Sequence, residues 1–424
     1  LNKIHGINRL LKLFSSAVID QALLSGASLC VGLILIRRST DLQYGYYILA
    51  INALLLLTSL QSAFFAPSMV NRLTHLNPAG RADVVGGLYR AQRHMLIPAC
   101  VGAVLVTAVL WCGGVLDRHT GPLVLAVIGA ALLTLNREYF RMVLLAYHRP
   151  ADVLRSDAVF VALLIPAAFL ATWLSAPSLG AILGLTLSAL VGGLLLAGFL
   201  RRHEPWNIAG SQGILRQIAP FALWSTAGAA VHWTFSQGYS YLVAATLDVQ
   251  ALASIAATRL LMMPVNLLST GLGTMMLPLA TTWLAAHGAQ AVLRRLSFFA
   301  AAVAGIALCY FGGLWLFRDW IFATILKKSF AHRDQLLLLW FSAFLVMVIR
   351  DQLIYLLVVH SRFRALTAIT AVSALASLMA SYWAMRHIGE IGAPLGVLLG
   401  EIISVGGILA LSLRESSGPL AIPG

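Results

Sequence analysis

At 424 residues, the chain is 60% hydrophobic and only 10% charged, with a mean hydropathy of +0.87. Such a composition excludes a water-soluble globular protein of this length. The net charge of +14 would direct a soluble chain to nucleic acid, but in a membrane chain it directs to anionic lipids and anionic substrates, and no nucleic-acid partner is expected.

Apolar segments long enough to cross a bilayer fall at 13–36, 44–70, 94–113, 121–147, 157–174 and 178–200. A second set follows at 218–246, 249–282, 296–317, 335–360, 365–385 and 392–413. The expectation is an all-α polytopic membrane protein of twelve transmembrane helices. It divides into an N-terminal lobe at 1–203, a polar cytoplasmic linker at 204–217 and a C-terminal lobe at 218–424. No cleavable signal is expected, because the basic start LNKIHGINRLLK runs into a full-length apolar segment. Cys30, Cys100, Cys112 and Cys309 all lie within or at the ends of apolar segments, without metal-ligand spacing, and neither a metal site nor a disulfide is expected.

Of the 29 Lys and Arg residues, seventeen fall on one side of these segments and eight on the other. The positive-inside bias then places both termini in the cytoplasm. The remaining four, Arg137, Arg141, Arg259 and Arg350, fall inside apolar segments. Arg259 lies eleven residues after Asp248, ~16 Å along a helix and close to the midplane. A cation at that depth is expected to face a wet cavity. Asn266, Thr270 and Gly273 follow it at helical spacing, as one polar or small stripe. Arg137 and Arg350 lie nearer the inner surface, where snorkelling would place them, and Glu138 is expected to pair with Arg141 three residues on.

The halves repeat. Asp41 and Gln43 match Asp248 and Gln250 at an offset of 207, which sets Asn52 opposite Arg259. Arg137-Glu138 matches Arg350-Asp351 at 213, and Gly180, Gly184 and Ser188 match Gly392, Gly396 and Gly400 at 212. Each half holds an even number of helices, so the repeat is parallel. The candidate substrate-binding residues are Arg259, His232, Asn52 and Asn266. The candidate ion-coupling residues are Asp20, in the inner third of the first helix, and Glu401. Glu401 reads as an isolated carboxyl ~14 Å deep, since Ala189 stands at its repeat-related position. The bland alternatives are a structural ion pair for Arg259 or Asp20 and a packing hydrogen bond for His232.

The stretch IRRSTDLQYGYYILAINALLLLTSLQSAFFAPSMVNRL resembles the start of the polysaccharide-transport family, the O-antigen and capsule repeat-unit flippases. The resemblance rests on Asp41, on Tyr44-Gly45-Tyr46-Tyr47 and on the basic helix exits His148-Arg149 and Ser361-Arg362. That family belongs to the multidrug/oligosaccharidyl-lipid/polysaccharide exporter superfamily, together with multidrug extruders and lipid II flippases. In the second half, Leu252 stands where Gly45 has its counterpart. The resemblance implies two six-helix lobes in a V around a central cavity. It further implies export of an undecaprenyl-diphosphate-linked oligosaccharide across the bacterial inner membrane by alternating access, in polysaccharide or lipopolysaccharide biosynthesis. The partners would be the lipid-linked glycan, membrane lipids and other polysaccharide-assembly proteins, with no cofactor.

No catalytic constellation is evident, and no GxxxxGK[ST] loop for nucleotide occurs. An integral-membrane glycan polymerase or ligase would need a large outer loop, and the longest here, 318–334, has seventeen residues. A major-facilitator transporter would carry a Gly-Asp-Arg-type motif after the second helix, which NRLTHLNPAGRADVV lacks. A multidrug extruder is the alternative within the same superfamily, against which a cationic cavity counts, because it would repel cationic drugs.

Overall fold

The computed structural model describes residues 2–73, 76–204, 206 and 213–417. Half of the expected linker (205 and 207–212), and the side chains of the basic N-terminal stretch holding Lys3, Arg9 and Lys12, lie outside the described residues. The described chain is almost wholly helical. The helices run α1 (Asn2–Arg38), α2 (Asp41–Leu73), α3 (Pro78–Cys112), α4 (Thr120–Ala146), α5 (Pro150–Ala171), α6 (Pro177–His203) and α7 (Ile214–Thr246). Then come α8 (Val249–Leu260), α9 (Met263–Leu316), a short α10 (Arg318–Trp320), α11 (Arg333–Val359), α12 (Phe363–Ile388) and α13 (Gly392–Ser417). Nine stretches among the described residues are long and apolar enough to cross a membrane, or ten with the bent pair α8 and α9. One of the nine, Phe363–Arg414, runs through both α12 and α13 and so covers two expected segments, and the expected segment at 218–246 lies on α7, which is not among these candidate spans.

Local chemistry sets the helix starts. Asn77 accepts a hydrogen bond from Gly80 N at 2.8 Å and Pro78 follows it, which begins α3 where proline's missing donor costs nothing. Asp248 caps α8 by accepting from Ala251 N at 2.5 Å. In the first half, Asp41 is already inside α2 and Thr40 takes the capping role, its Oγ1 accepting from Gln43 N at 3.3 Å.

The chain forms two compact units, 1–230 and 231–424, with α7 beginning in the first and ending in the second. In the first unit, α6 packs between α4 and α5, and α1 lies along α5. A Cβ on Gly184 would come within 2.7 Å of Ala167 Cβ, so α5 and α6 are in backbone-close contact. In the second unit α12 and α13 make the corresponding pair, and a Cβ on Gly400 would meet Ser377 Cβ at 2.6 Å and Phe235 at 2.8 Å. The repeat extends to the turns. After α4, His148 takes a left-handed φ of 56° and Arg149 N donates to Leu144 O at 2.9 Å. After α11, Ser361 takes the same φ of 56° and Arg362 N donates to Leu357 O at 2.9 Å. The two helix ends stand 213 residues apart, the spacing of Arg137 and Arg350, and close their orphan carbonyls alike.

The span expected at 249–282 is not one straight helix. It bends by 55° between α8 and α9, because Pro264 in the first turn of α9 has no N–H to donate and crowds the preceding turn. Tyr310, from the far part of α9, donates its hydroxyl to Leu261 O at the bend, at 2.7 Å. The far part of α9 is set off by Gly288, at φ 76° and ψ 173°, a backbone conformation open to glycine and strained for other residues. Between α9 and α11, Arg318 and Arg333 bond Asp334 at 3.3 and 3.1 Å, and Arg333 also pairs with Asp319, so part of this basic loop is neutralised in place.

Candidate functional site

The four arginines inside apolar helices fall into two groups, one in each unit. In the first unit, Arg137 and Arg141 of α4 lie one turn apart and meet carboxylates from three helices. Arg137 bonds Asp157 of α5 at 2.5 Å and Glu138 at 2.7 Å, and its guanidinium lies 4.0 Å from the Phe160 ring centroid. Arg141 bonds Asp157 at 3.0 Å, approaches Glu138 at 3.7 Å and pairs with Asp20 of α1. Gly192 leaves room for Arg137, whose Nε would lie 3.2 Å from a Cβ there. Three carboxyls thus face two guanidiniums. Fully ionised, the cluster would hold one surplus negative charge in a buried setting, and one proton brings it to neutrality.

In the second unit, Arg350 of α11 bonds Glu401 of α13 at 2.7 Å and Asp351 at 2.8 Å. Asp351 also accepts from Ser269 at 3.1 Å. Glu401 is therefore not the isolated carboxyl its repeat position suggested. Ala189 stands opposite it because the N-terminal arginine takes its acid from α5 instead of α6. Nor do Arg137 and Arg350 snorkel: both are buried, since an ion pair inside the bundle replaces the water they would otherwise reach. Arg137 does use its neighbour Glu138, at a shorter distance than Arg141 does.

Arg259, at the end of α8, is held differently. Its Nη1 donates to Gln237 Oε1 at 2.7 Å and its Nη2 to Ser236 O at 3.4 Å, both on α7. The guanidinium lies 5.5 Å from the ring centroids of Tyr239 and Trp340 and 6.0 Å from that of Phe344. Trp340 is fixed in turn by its Nε1 donating to Ile255 O at 3.0 Å. Among the described residues, no carboxylate forms an ion pair with Arg259, and it is half-buried. It is therefore oriented by neutral dipoles and π faces.

The other candidates scatter. The bend after α8 breaks the expected stripe. Asn266 is exposed on α9, Thr270 turns its hydroxyl back to Asn266 O at 3.0 Å, and Gly273 sits against the Tyr355 hydroxyl. His232 is exposed on α7 and feels the charges of Arg350 and Asp351. Asn52 is buried in α2 of the first unit. Asp157, buried between the two N-terminal arginines, was missed by sequence reading. Its signal was an acid at the first position of the apolar segment 157–174, which carries no other charge. No group of His, Cys, Asp and Glu suited to a metal ion occurs among the described residues.

Helical spans in two repeated sets, with ion-paired arginines in each, define a polytopic α-helical membrane protein. No family model matches the sequence, and no curated protein matches it. Solved structures do match. One is a multidrug resistance MATE family transporter of the MOP superfamily in an inward-facing conformation, with a TM-score of 0.75 at 12% identity over 94% of this chain and 95% of that one. Another is the lipid II flippase MurJ in an inward closed conformation, at 0.73 and 11% over 95% and 87%. A third is a MOP superfamily transporter from Pyrococcus furiosus, described as having a binding pocket of reverse polarity, at 0.68 and 12% over 96% of each chain. The chain has the fold of these MOP superfamily transporters.

Proposed function

We propose that the protein is a transporter, not an enzyme, and that it flips an undecaprenyl-diphosphate-linked oligosaccharide across the bacterial inner membrane by alternating access, with both termini cytoplasmic. The observation that carries this reading is Arg259, a guanidinium within an apolar stretch oriented by Gln237 and three aromatic rings, with no carboxylate paired to it among the described residues. A diphosphate offers such a fixed cation charge-assisted hydrogen bonds in a low-dielectric setting. A lipid-linked substrate agrees with the likeness to a lipid II flippase. His232, Asn52 and Asn266 are the further candidates for glycan contact.

Coupling falls to the carboxyls. Asp20 shares Arg141 with Asp157 and belongs to the cluster with one acid in excess, so a proton taken up or released there changes the charge holding α1 against α4. Glu401 is the second candidate, through its bond to Arg350.

The test is export of undecaprenyl-diphosphate oligosaccharide by the reconstituted protein. Losing a charge-assisted bond costs about 1.5–3 kcal/mol, so Arg259→Ala should lower export about tenfold or more, while Arg259→Lys retains part. Asp20→Asn should remove the dependence on an imposed pH gradient, and Glu401→Gln should weaken it. Export of a cationic drug with no glycan export would establish the multidrug reading instead. Glycan export unchanged in Arg259→Ala would remove the anion-binding role.

A further inference from the structure

Within the first unit, α3, α4 and α6 enclose a cavity of about 410 Å³ that neither ion cluster uses. Its walls are Leu96 and Ile97 of α3, Leu132 and Leu133 of α4, and Leu190 and Leu194 of α6. Asn136 also lines it but turns its Nδ2 back onto Leu132 O at 2.7 Å. At one end stand two exposed cations, Arg93 and Arg201. Arg93 lies over the Tyr89 ring at 5.8 Å, and among the described residues neither arginine forms an ion pair. Along α6 the lining runs from Arg201 to Ala189, twelve residues or ~18 Å of helix. One leaflet of a bilayer is ~15 Å of hydrocarbon, half of the ~30 Å core. The crevice is therefore about as long as a leaflet is deep, with its charge where a phosphate would lie. Of the apolar window of α3, only 6% is buried, so this wall is open to lipid.

We infer that this crevice is a site for one anionic membrane phospholipid, its phosphate held by Arg93 and Arg201 and an acyl chain laid against the leucines of α4 and α6. The inference goes beyond the transport reading and stands without it. Charge complementarity selects the headgroup, since two guanidiniums that form no ion pair among the described residues favour a net anion over a zwitterion at a membrane surface. The apolar walls select a lipid over free phosphate, because each buried methylene adds favourable transfer energy that an inorganic ion lacks.

The test is native mass spectrometry of the full chain released from vesicles of equal phosphatidylglycerol and phosphatidylethanolamine. The protein should retain phosphatidylglycerol preferentially. Arg93→Gln with Arg201→Gln should cut that preference about tenfold, and Leu194→Trp, which fills the crevice from its exposed side, should cut retention with both arginines intact. Thermal unfolding with added phosphatidylglycerol supplies a readout independent of yield: the native protein should gain stability, and Leu194→Trp should gain less. Equal retention of the two lipids by the native protein would overturn the inference, as would undiminished preference in the double variant or full displacement by millimolar inorganic phosphate.

Discussion

Arg350 and Glu401 are both buried and lie 2.7 Å apart, and Asp351 is the second carboxylate on the same guanidinium. Removing one partner of a buried pair costs about 3–5 kcal/mol, whereas replacing both with apolar groups of similar size is often neutral. Arg350→Met alone should therefore lower the unfolding temperature markedly, and Arg350→Met with Glu401→Met should recover part of the loss, Asp351 still lacking its guanidinium, as thermal unfolding in detergent would show. Recovery would identify the pair as an energetic unit and not two independent contacts. At this scale the sequence was partly legible. Arginines and acids deep in apolar segments announced buried electrostatics, but the pairing did not follow from spacing. Arg137 and Arg350 are repeat-related, yet one finds its acid on α5 and the other on α13, because a carboxylate needs only to reach the guanidinium and can do so from any neighbouring helix.

Among the elements, the glycine rows of α6 and α13 were visible as close packing, whereas the bend between α8 and α9 was not, although Pro264 marked it. An apolar run gives no sign of direction, and proline is tolerated inside other helices here, at Pro67 and Pro98. Gly400→Ala should cost about 1–3 kcal/mol, the usual range for overpacking, because its Cβ has Ser377 and Phe235 in the way. Gly26→Ala, with nothing within 4 Å, should be neutral or slightly stabilising; unfolding midpoints of the two variants test the contrast. The start of α4 supplies a pH-dependent element. Asp117 accepts from Thr120 N and Oγ1, each at 2.7 Å, and from His119 N at 2.9 Å. These bonds hold its exposed carboxyl below the usual carboxylate range, the backbone bond from Thr120 contributing most. Its contribution is complete above the ordinary value of about 3.9 and is lost as pH falls through the lower folded value. Stability between pH 6 and pH 3 should thus fall less in Asp117→Asn than in the native protein, as unfolding midpoints across that range would register.

The whole molecule was legible in its helix number and its duplication, since both are written in period and composition. The matched turns at His148 and Ser361, with the same φ of 56° and the same carbonyl closure, set the ends of α4 and α11 in register with the parallel repeat. In a background lacking the native cysteines, Arg149→Cys and Arg362→Cys should label from one face of the membrane with an impermeant thiol reagent, and Arg118→Cys from the other. Labelling of Arg149→Cys and Arg362→Cys from opposite faces would contradict a parallel duplication.

The contact of Tyr310 with Leu261 O at the bend gives α8 and α9 the character of a hinge with a latch. A helix broken in an apolar interior leaves carbonyls that water cannot reach, and here one phenolic hydroxyl, arriving from the far part of α9, answers for Leu261. The bend angle and the position of that distant stretch are therefore tied together by this bond, beside the packing of Val265 with Val303 and Ala307. Any movement that straightens the span must first give up this bond, and any that keeps it must carry Tyr310 along. Tyr310→Phe keeps the ring and removes the tether, so it should loosen the hinge at little cost in packing, seen as faster hydrogen exchange around residues 259–265 while the amides of α11 remain protected.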